Sequence, residues 1–489
     1  MAEALRRARW QRPLPRATVS AMRCPRASLW WAGLTLALLA GGCARSPSTP
    51  PNVLLIVVDT TRADAMFPVD PTRMPTFARL AREGTSFSHA RSTSAWTLPS
   101  HGSLFTGLYP STHGAHHESH LLRPGLETLA EVLSATHRTA GFSENPHIGV
   151  QKGFAQGFSH FEETWRQRST LESDPPTVER VLGWLSQDRE DSRPFFAFVN
   201  LMDAHLPYAP PSELARRYAP AGAARRQIER LRHFRELDAR RYVTGRRALS
   251  DSELAILRSL YRTEVVWLDR RVGKLIEALD RRGDLDRTLV VIVGDHGENI
   301  ADHGLMEHQL CLYETLLRVP LLFRLPGSFE RSSVRDAAVQ LVDVMPTILD
   351  SVGTPRSRWP AMQGQSLLHG DPPPERAIVA QYMRPVRQRT RFAEADPSFD
   401  FDPYDRRLQS YQRASLKLIV SSRGEVELYD LASDPREAHD LARERPATVR
   451  ELAAGLERWS RDHPTAGGVA APTVDRQTLD ALKALGYAE

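Results

Sequence analysis

Two uninterrupted apolar runs constrain this chain more than any other feature. Val53-Leu-Leu-Ile-Val-Val58 and Leu289-Val-Val-Ile-Val293 are of strand length, carry no polar residue, and lead within two residues to Asp59 and Asp295. A strand without polar alternation is buried on both faces, as in a largely parallel sheet covered by helices. Ligands of such sheets bind beyond the carboxyl ends of the strands, which is where the two aspartates fall. Pro194-Phe-Phe-Ala-Phe-Val-Asn-Leu-Met202 repeats the pattern and runs into Asp203-Ala-His205, and Thr139–Ser143 reads as a further strand. The runs therefore predict an α/β fold with acidic and imidazole groups gathered at one sheet edge.

The stretch Ser94-Ala-Trp-Thr97-Leu-Pro-Ser-His101-Gly-Ser-Leu-Phe-Thr-Gly107 reads as a short helix that begins at 98, with Thr97 as its N-cap, and stops at Gly107. A hydroxyl at that position meets the positive end of the helix, which favours an alkoxide or a bound anion. Capping is the commoner use of such a threonine. The two acidic strand ends shift the balance toward chemistry, because Asp59, Asp295 and His296 together offer oxygen and imidazole ligands to a divalent cation. Thr97 would complete that ligand set through its hydroxyl, which coordination would acidify toward an alkoxide nucleophile.

Asn52–Asp59, Thr97-x-Pro-Ser-His101, Thr106-Gly-x-Tyr-Pro110 and Gly294-Asp-His-Gly-Glu298, in that order, resemble the sulfatase family of the alkaline phosphatase superfamily. The resemblance extends to Leu428-Tyr-Asp-Leu-x-x-Asp-Pro435 and Leu485-Gly486-Tyr487. It implies an α/β three-layer sandwich around a central mixed, mainly parallel sheet, a catalytic domain over 52–370, and a small antiparallel α+β subdomain over 371–489. It also implies that His101, His205 and His308 face the oxygens of a bound ester. His303 and His147 match the pattern less well, and Glu144-Asn-Pro-His147 does not reproduce the Lys and His that many sulfatases carry there. Sulfatases convert a Cys or Ser to formylglycine in a Cys/Ser-x-Pro-x-Arg motif, whereas this chain has Thr97 and His101. A β-branched threonine cannot yield that aldehyde. Threonine nucleophiles belong to relatives such as nucleotide phosphodiesterases and phosphoglycerol transferases of the lipoteichoic-acid type. The family also usually places a second Asp where this chain has Thr60, which favours Mn²⁺ or Zn²⁺ over Ca²⁺.

The expected activity is thus metal-dependent hydrolysis of a phosphoric or sulfuric ester by in-line attack of Thr97. The alternatives are a sulfuric ester hydrolase proper, a phosphoglycerol-type transferase, and an inactive surface binding protein. The substrate would be a small-molecule, glycan or lipid ester. A net charge of +5 from 64 basic and 59 acidic residues leaves no nucleic-acid footprint. Arg23 and Arg26, the apolar run Leu29–Ala40 and Gly41-Gly-Cys43 read as a bacterial signal with a lipobox, translation starting at Met1 or Met22. Residues 1–43 would then be the signal region and 44–51 a tether, anchoring the chain by lipid at the bacterial cell envelope, facing the periplasm or outside. Without lipidation of Cys43 it would be secreted. Removal or lipidation of Cys24 and Cys43 would leave Cys311 alone, so neither a disulfide nor a thiolate metal site is expected. Residues 212–250 are arginine-rich and read as a helical insertion, either a rim of the site or a solvated face.

Overall fold

The computed structural model describes residues 49–117, 119–167, 174–187, 192–384 and 387–471. The signal region, Cys43, most of the tether and the Leu485-Gly486-Tyr487 motif lie outside the described residues.

The apolar runs become neighbouring central strands. Asn52–Val58 pairs in parallel with Thr288–Val293 on one side and Phe195–Leu201 on the other, and every residue of the three is buried. The full eight-stranded sheet has the order Ser333–Gln340, Thr85–Arg91, Leu321–Arg324, Thr288–Val293, Asn52–Val58, Phe195–Leu201, Arg138–Ser143, His160–Glu163. Leu321–Arg324 alone opposes its neighbours. The sheet is therefore mixed and mainly parallel, as the resemblance implies.

Alternation along strand 52–58 sorts its side chains into two cores. Val53, Leu55 and Val57 join Leu98, Leu104 and Phe105 of the helix Thr97–Thr106 and Ile348 of the helix Val344–Ser351. Leu54, Ile56 and Val58 join Leu260, Leu268, Val272, Leu275 and Leu279 of the 31-residue helix Asp251–Arg281. Each of these leucines contributes roughly 1.5–3 kcal/mol by leaving water. The long helix starts where its sequence supplies a capping box: Glu253 N–H donates to Ser250 Oγ, and Ser250 N–H donates to the Glu253 carboxylate.

A second sheet is antiparallel, with Ile378–Tyr382, Leu408–Arg413, Leu416–Ser421 and Val426–Asp430 in order. The helix Pro446–Asp462 backs it through Leu452 and Leu456. A buried ion-pair network ties this sheet to the catalytic body. Lys417 Nζ donates to Glu314 at 3.0 Å and to Glu437 at 2.7 Å, and Arg91 holds Glu314 at 3.0 Å. The 212–250 insertion forms the helices Ser212–Arg217, Arg225–Arg232 and Glu236–Val243. The last of them packs against the strand Leu305–Glu307 and the helix Gln388–Ala395, so it walls the side of the molecule that carries His308.

Candidate active site

The turn after strand 52–58 presents Asp59, and the turn after strand 288–293 presents Asp295 and His296. Ligand atoms of the three lie within 4.8 Å of one another, and all three residues are buried. Thr60 holds a left-handed φ of 52° and donates its backbone N–H to Asp295 Oδ1 at 3.1 Å. At the position where the family usually has a second carboxylate, the backbone N–H thus orients Asp295 from the neighbouring strand end.

Asp59 is gripped on one oxygen only. Asn145 Nδ2 donates to Asp59 Oδ2 at 2.8 Å and Asn200 Nδ2 at 3.1 Å, while Asp59 Oδ1 and Asp295 Oδ2 are buried without a hydrogen-bond partner. Burial raises both carboxyls, and the charge of Asp59 raises Asp295 further. Two dry carboxylates this close repel each other, and a divalent cation between them removes that repulsion. His296 Nδ1–H donates to the Gly297 carbonyl at 2.9 Å, which leaves Nε2 unprotonated and free to act as a ligand. Burial holds this imidazole well below its usual pKa. The orphaned oxygens and the fixed tautomer fit a divalent ion.

Thr97 Oγ1 stands 3.2 Å from His296 Nε2 and 3.4 Å from Asn145 Nδ2. The N-cap expectation is off by one residue: Trp96, with φ −160°, is the cap, and Thr97 opens the helix. The shift follows from Trp96 taking the last extended conformation before Pro99 fixes the first turn. Gly107 closes the helix at φ 66°, as its position predicts.

A sulfatase family model matches residues 51–354. The chain belongs to the sulfatase family. Among curated relatives, an ulvan-active sulfatase of Formosa agariphila is 26% identical, over 84% of this chain and 74% of its own. A multifunctional alkaline phosphatase superfamily protein of Trinickia caryophylli is 25% identical, over 85% and 96%. The solved phosphonate monoester hydrolase of Agrobacterium radiobacter superposes with a TM-score of 0.67 at 21% identity, covering 86% of this chain and all of that one. This sulfatase-family member is accordingly an ester hydrolase of the alkaline phosphatase superfamily.

The three histidines that the family pattern singles out are differently placed. His308 lies with its ring centroid 4.6 Å from that of His296 and 5.0 Å from that of His205. Its Nδ1 is 3.3 Å from Glu298 Oε1, and burial lowers its pKa to about 4. His205 donates through Nδ1 to the Leu206 carbonyl at 2.7 Å. His101 packs edge-on against Phe154 and Phe198, donates through Nδ1 to the Thr97 carbonyl at 3.0 Å, and sits 3.5 Å from Asp295 Oδ2. Burial drops its pKa to about 3. The ring so held lies beside both Thr97 and Asp295, next to the place its expected role requires. His303 stacks on Tyr313 at 3.8 Å, apart from this group. His147 stands edge-on to Trp96.

Sequence reasoning missed Asn145, Asn200 and Glu298. Asn200 interrupts an otherwise apolar strand one residue before its end, and that polar intrusion is the signal that marks it. Asn145 lies in the segment where the family's Lys and His are absent, so matching by residue type passes over it.

Proposed function

We propose that this sulfatase-family member is a divalent-metal-dependent hydrolase of phosphoric esters that works through a covalent phospho-Thr97 intermediate. The observation that carries the reading is the position of Thr97 Oγ1, at the first turn of a helix and 3.2 Å from an imidazole nitrogen of the Asp59, Asp295 and His296 group.

A bound Mn²⁺ or Zn²⁺ would supply Lewis acidity that lowers the hydroxyl pKa and offsets charge on the ester. Asp59, Asp295 and His296 would hold it, with the Thr97 hydroxyl beside them. Asn145 donates toward Thr97 Oγ1 and Asp59 Oδ2 and so fixes the attack direction. Thr97 Oγ1 forms a bond to phosphorus while the bond from phosphorus to the leaving oxygen breaks; the hydroxyl proton passes to water and the leaving oxygen takes up a proton, so that the alcohol departs neutral. In their protonated forms, which the charge of a bound ester would favour, His205 and His308 stand as donors to the leaving oxygen and to the non-bridging oxygens. Attack of water on phospho-Thr97 then releases phosphate and restores the hydroxyl.

Sulfuric ester hydrolysis is the second reading, favoured by the sulfatase names among the relatives. Against it stands the nucleophile: a sulfated formylglycine expels sulfate by collapse of its hydrate, whereas a sulfated threonine needs direct attack of water at sulfur. Lipid anchoring at Cys43 in a bacterial cell envelope completes the proposal. The test is turnover of an aryl phosphate monoester, an aryl phosphodiester and an aryl sulfate, with chelator and with added Mn²⁺, Zn²⁺ or Ca²⁺. Metal-dependent turnover with a phosphoester ahead is expected; a clear preference for sulfate overturns the reading.

A further inference from the structure

A cleft of about 520 Å³ opens beside the Asp59 turn without sharing a side chain with the Asp59, Asp295, His296 and Thr97 group. Five arginines line it: Arg62, Arg258, Arg262, Arg318 and Arg436. The carboxylates among them are already spoken for. Arg62 takes Asp64 at 2.8 Å and Asp302 at 2.9 Å, and on the floor Glu314 and Glu437 belong to the buried Arg91 and Lys417. With those two included, seven cationic groups stand against four carboxylates. Among the described residues the side chains of Arg258 and Arg318 form no ion pair and donate to the carbonyls of Ile300 and Ser88, and Asp64 is shared electrostatically by Arg62, Arg262 and Arg318. Among the described residues the side chains of Arg262 and Arg436 form no ion pair, and both are exposed on the rim.

The cleft is built, not incidental. Arg62 is held at both ends, its backbone N–H donating to Tyr261 Oη at 2.8 Å while that hydroxyl donates to the Thr60 carbonyl at 2.9 Å. Forked guanidinium donors around a concave space suit oxyanions of sulfur or phosphorus better than carboxylates or neutral sugars.

We propose that this cleft is a second anion-binding site, which takes a sulfate or phosphate group either on a polyanionic molecule or as the free ion. Arg62 is three residues from Asp59, so their Cα atoms are at most about 11 Å apart. The proposal does not depend on how Thr97 reacts, because the site needs no metal.

Calorimetric titration of the full mature chain in chelator, at constant ionic strength in chloride, tests it. The probes are sucrose octasulfate, inositol hexakisphosphate, inorganic sulfate and inorganic phosphate. One saturable site is expected for at least one polyanion. Arg262→Ser/Arg436→Ser should weaken it by about tenfold or more, through loss of two charge-assisted donors. Thr97→Ala, and an Arg356→Ser/Arg358→Ser control with the same change in net charge, should leave it within about twofold. Tight binding of a polyanion with weak binding of the free ions assigns the site to a polyvalent ligand; equal binding of inorganic sulfate or phosphate assigns it to the free ion. Absence of saturable binding, an equal loss in the control pair, or no loss in the Arg262/Arg436 pair overturns the proposal.

Discussion

Replacing Arg271 by Met should unsettle the site from behind. Arg271, on the helix 251–281, is 4% exposed and bonds Glu144 Oε1 at 2.5 Å and Asp203 Oδ2 at 2.7 Å. Glu144 Oε2 in turn accepts the Met202 N–H at 3.0 Å. One guanidinium thus clamps the two strand-end loops that carry Asn145 and His205. Removing it leaves two carboxylates, each no more than 2% exposed, facing each other without a cation. Breaking a buried pair in this way costs about 3–5 kcal/mol. Burial already raises the Asp203 carboxyl above its ordinary value even with Arg271 present. A carboxyl whose folded pKa lies above the unfolded one stabilises the fold below the unfolded value and loses that contribution as pH rises. The variant's deficit should therefore be small near pH 4 and full near pH 8. Urea unfolding of both chains across that range measures it, and metal-dependent turnover should fall by about ten- to a hundredfold as the Asn145 support loosens. The neutral triple Glu144→Gln/Asp203→Asn/Arg271→Met should regain most of the stability. A deficit that does not depend on pH, or a triple variant no better than the single one, would refute the clamp.

Asn145→Ala removes a donor to Asp59 and to Thr97, and metal affinity measured by competition with a chromophoric chelator should drop by about ten- to a hundredfold; an unchanged affinity contradicts the support role. His113 is fully buried, accepts the Ala115 N–H at Nδ1, and donates from Nε2 to the Pro99 carbonyl. Burial lowers its pKa to about 3 from 6.5, so its neutral form supports the fold above pH 6.5 and that support drains away as pH falls toward 3. The loss between pH 7.5 and 5.5 is on the order of 1 kcal/mol, and His113→Gln should remove that part of the pH slope in denaturant titrations. Cys43→Ser should abolish incorporation of labelled fatty acid and leave an unprocessed or soluble form; label that persists excludes the anchor.

The central sheet was legible because strands buried on both faces write themselves as unbroken apolar runs, and the carboxyl-end rule then pointed to Asp59, Asp295 and His205. The supports of the site were not legible. Asn145 and Asn200 reach Asp59 across 86 and 141 positions, and Arg271 reaches Glu144 across 127, separations that only the strand order 52–58, 195–201, 138–143 closes. In the antiparallel sheet, Leu408-Gln-Ser-Tyr-Gln-Arg413 escaped notice because Ser410 and Gln412 are polar yet buried. Its place between two apolar partners, not its own composition, makes it a strand.

The most direct measurement maps the covalent intermediate. The metal-loaded chain is mixed with an aryl phosphate carrying labelled phosphorus, quenched in acid within the first turnover, digested and sequenced by mass spectrometry. The account predicts label on the Thr97 hydroxyl, dependent on the divalent metal and absent from Thr97→Ala, whose turnover falls by about a thousandfold or more. Label on another residue, or undiminished turnover by Thr97→Ala, would contradict it.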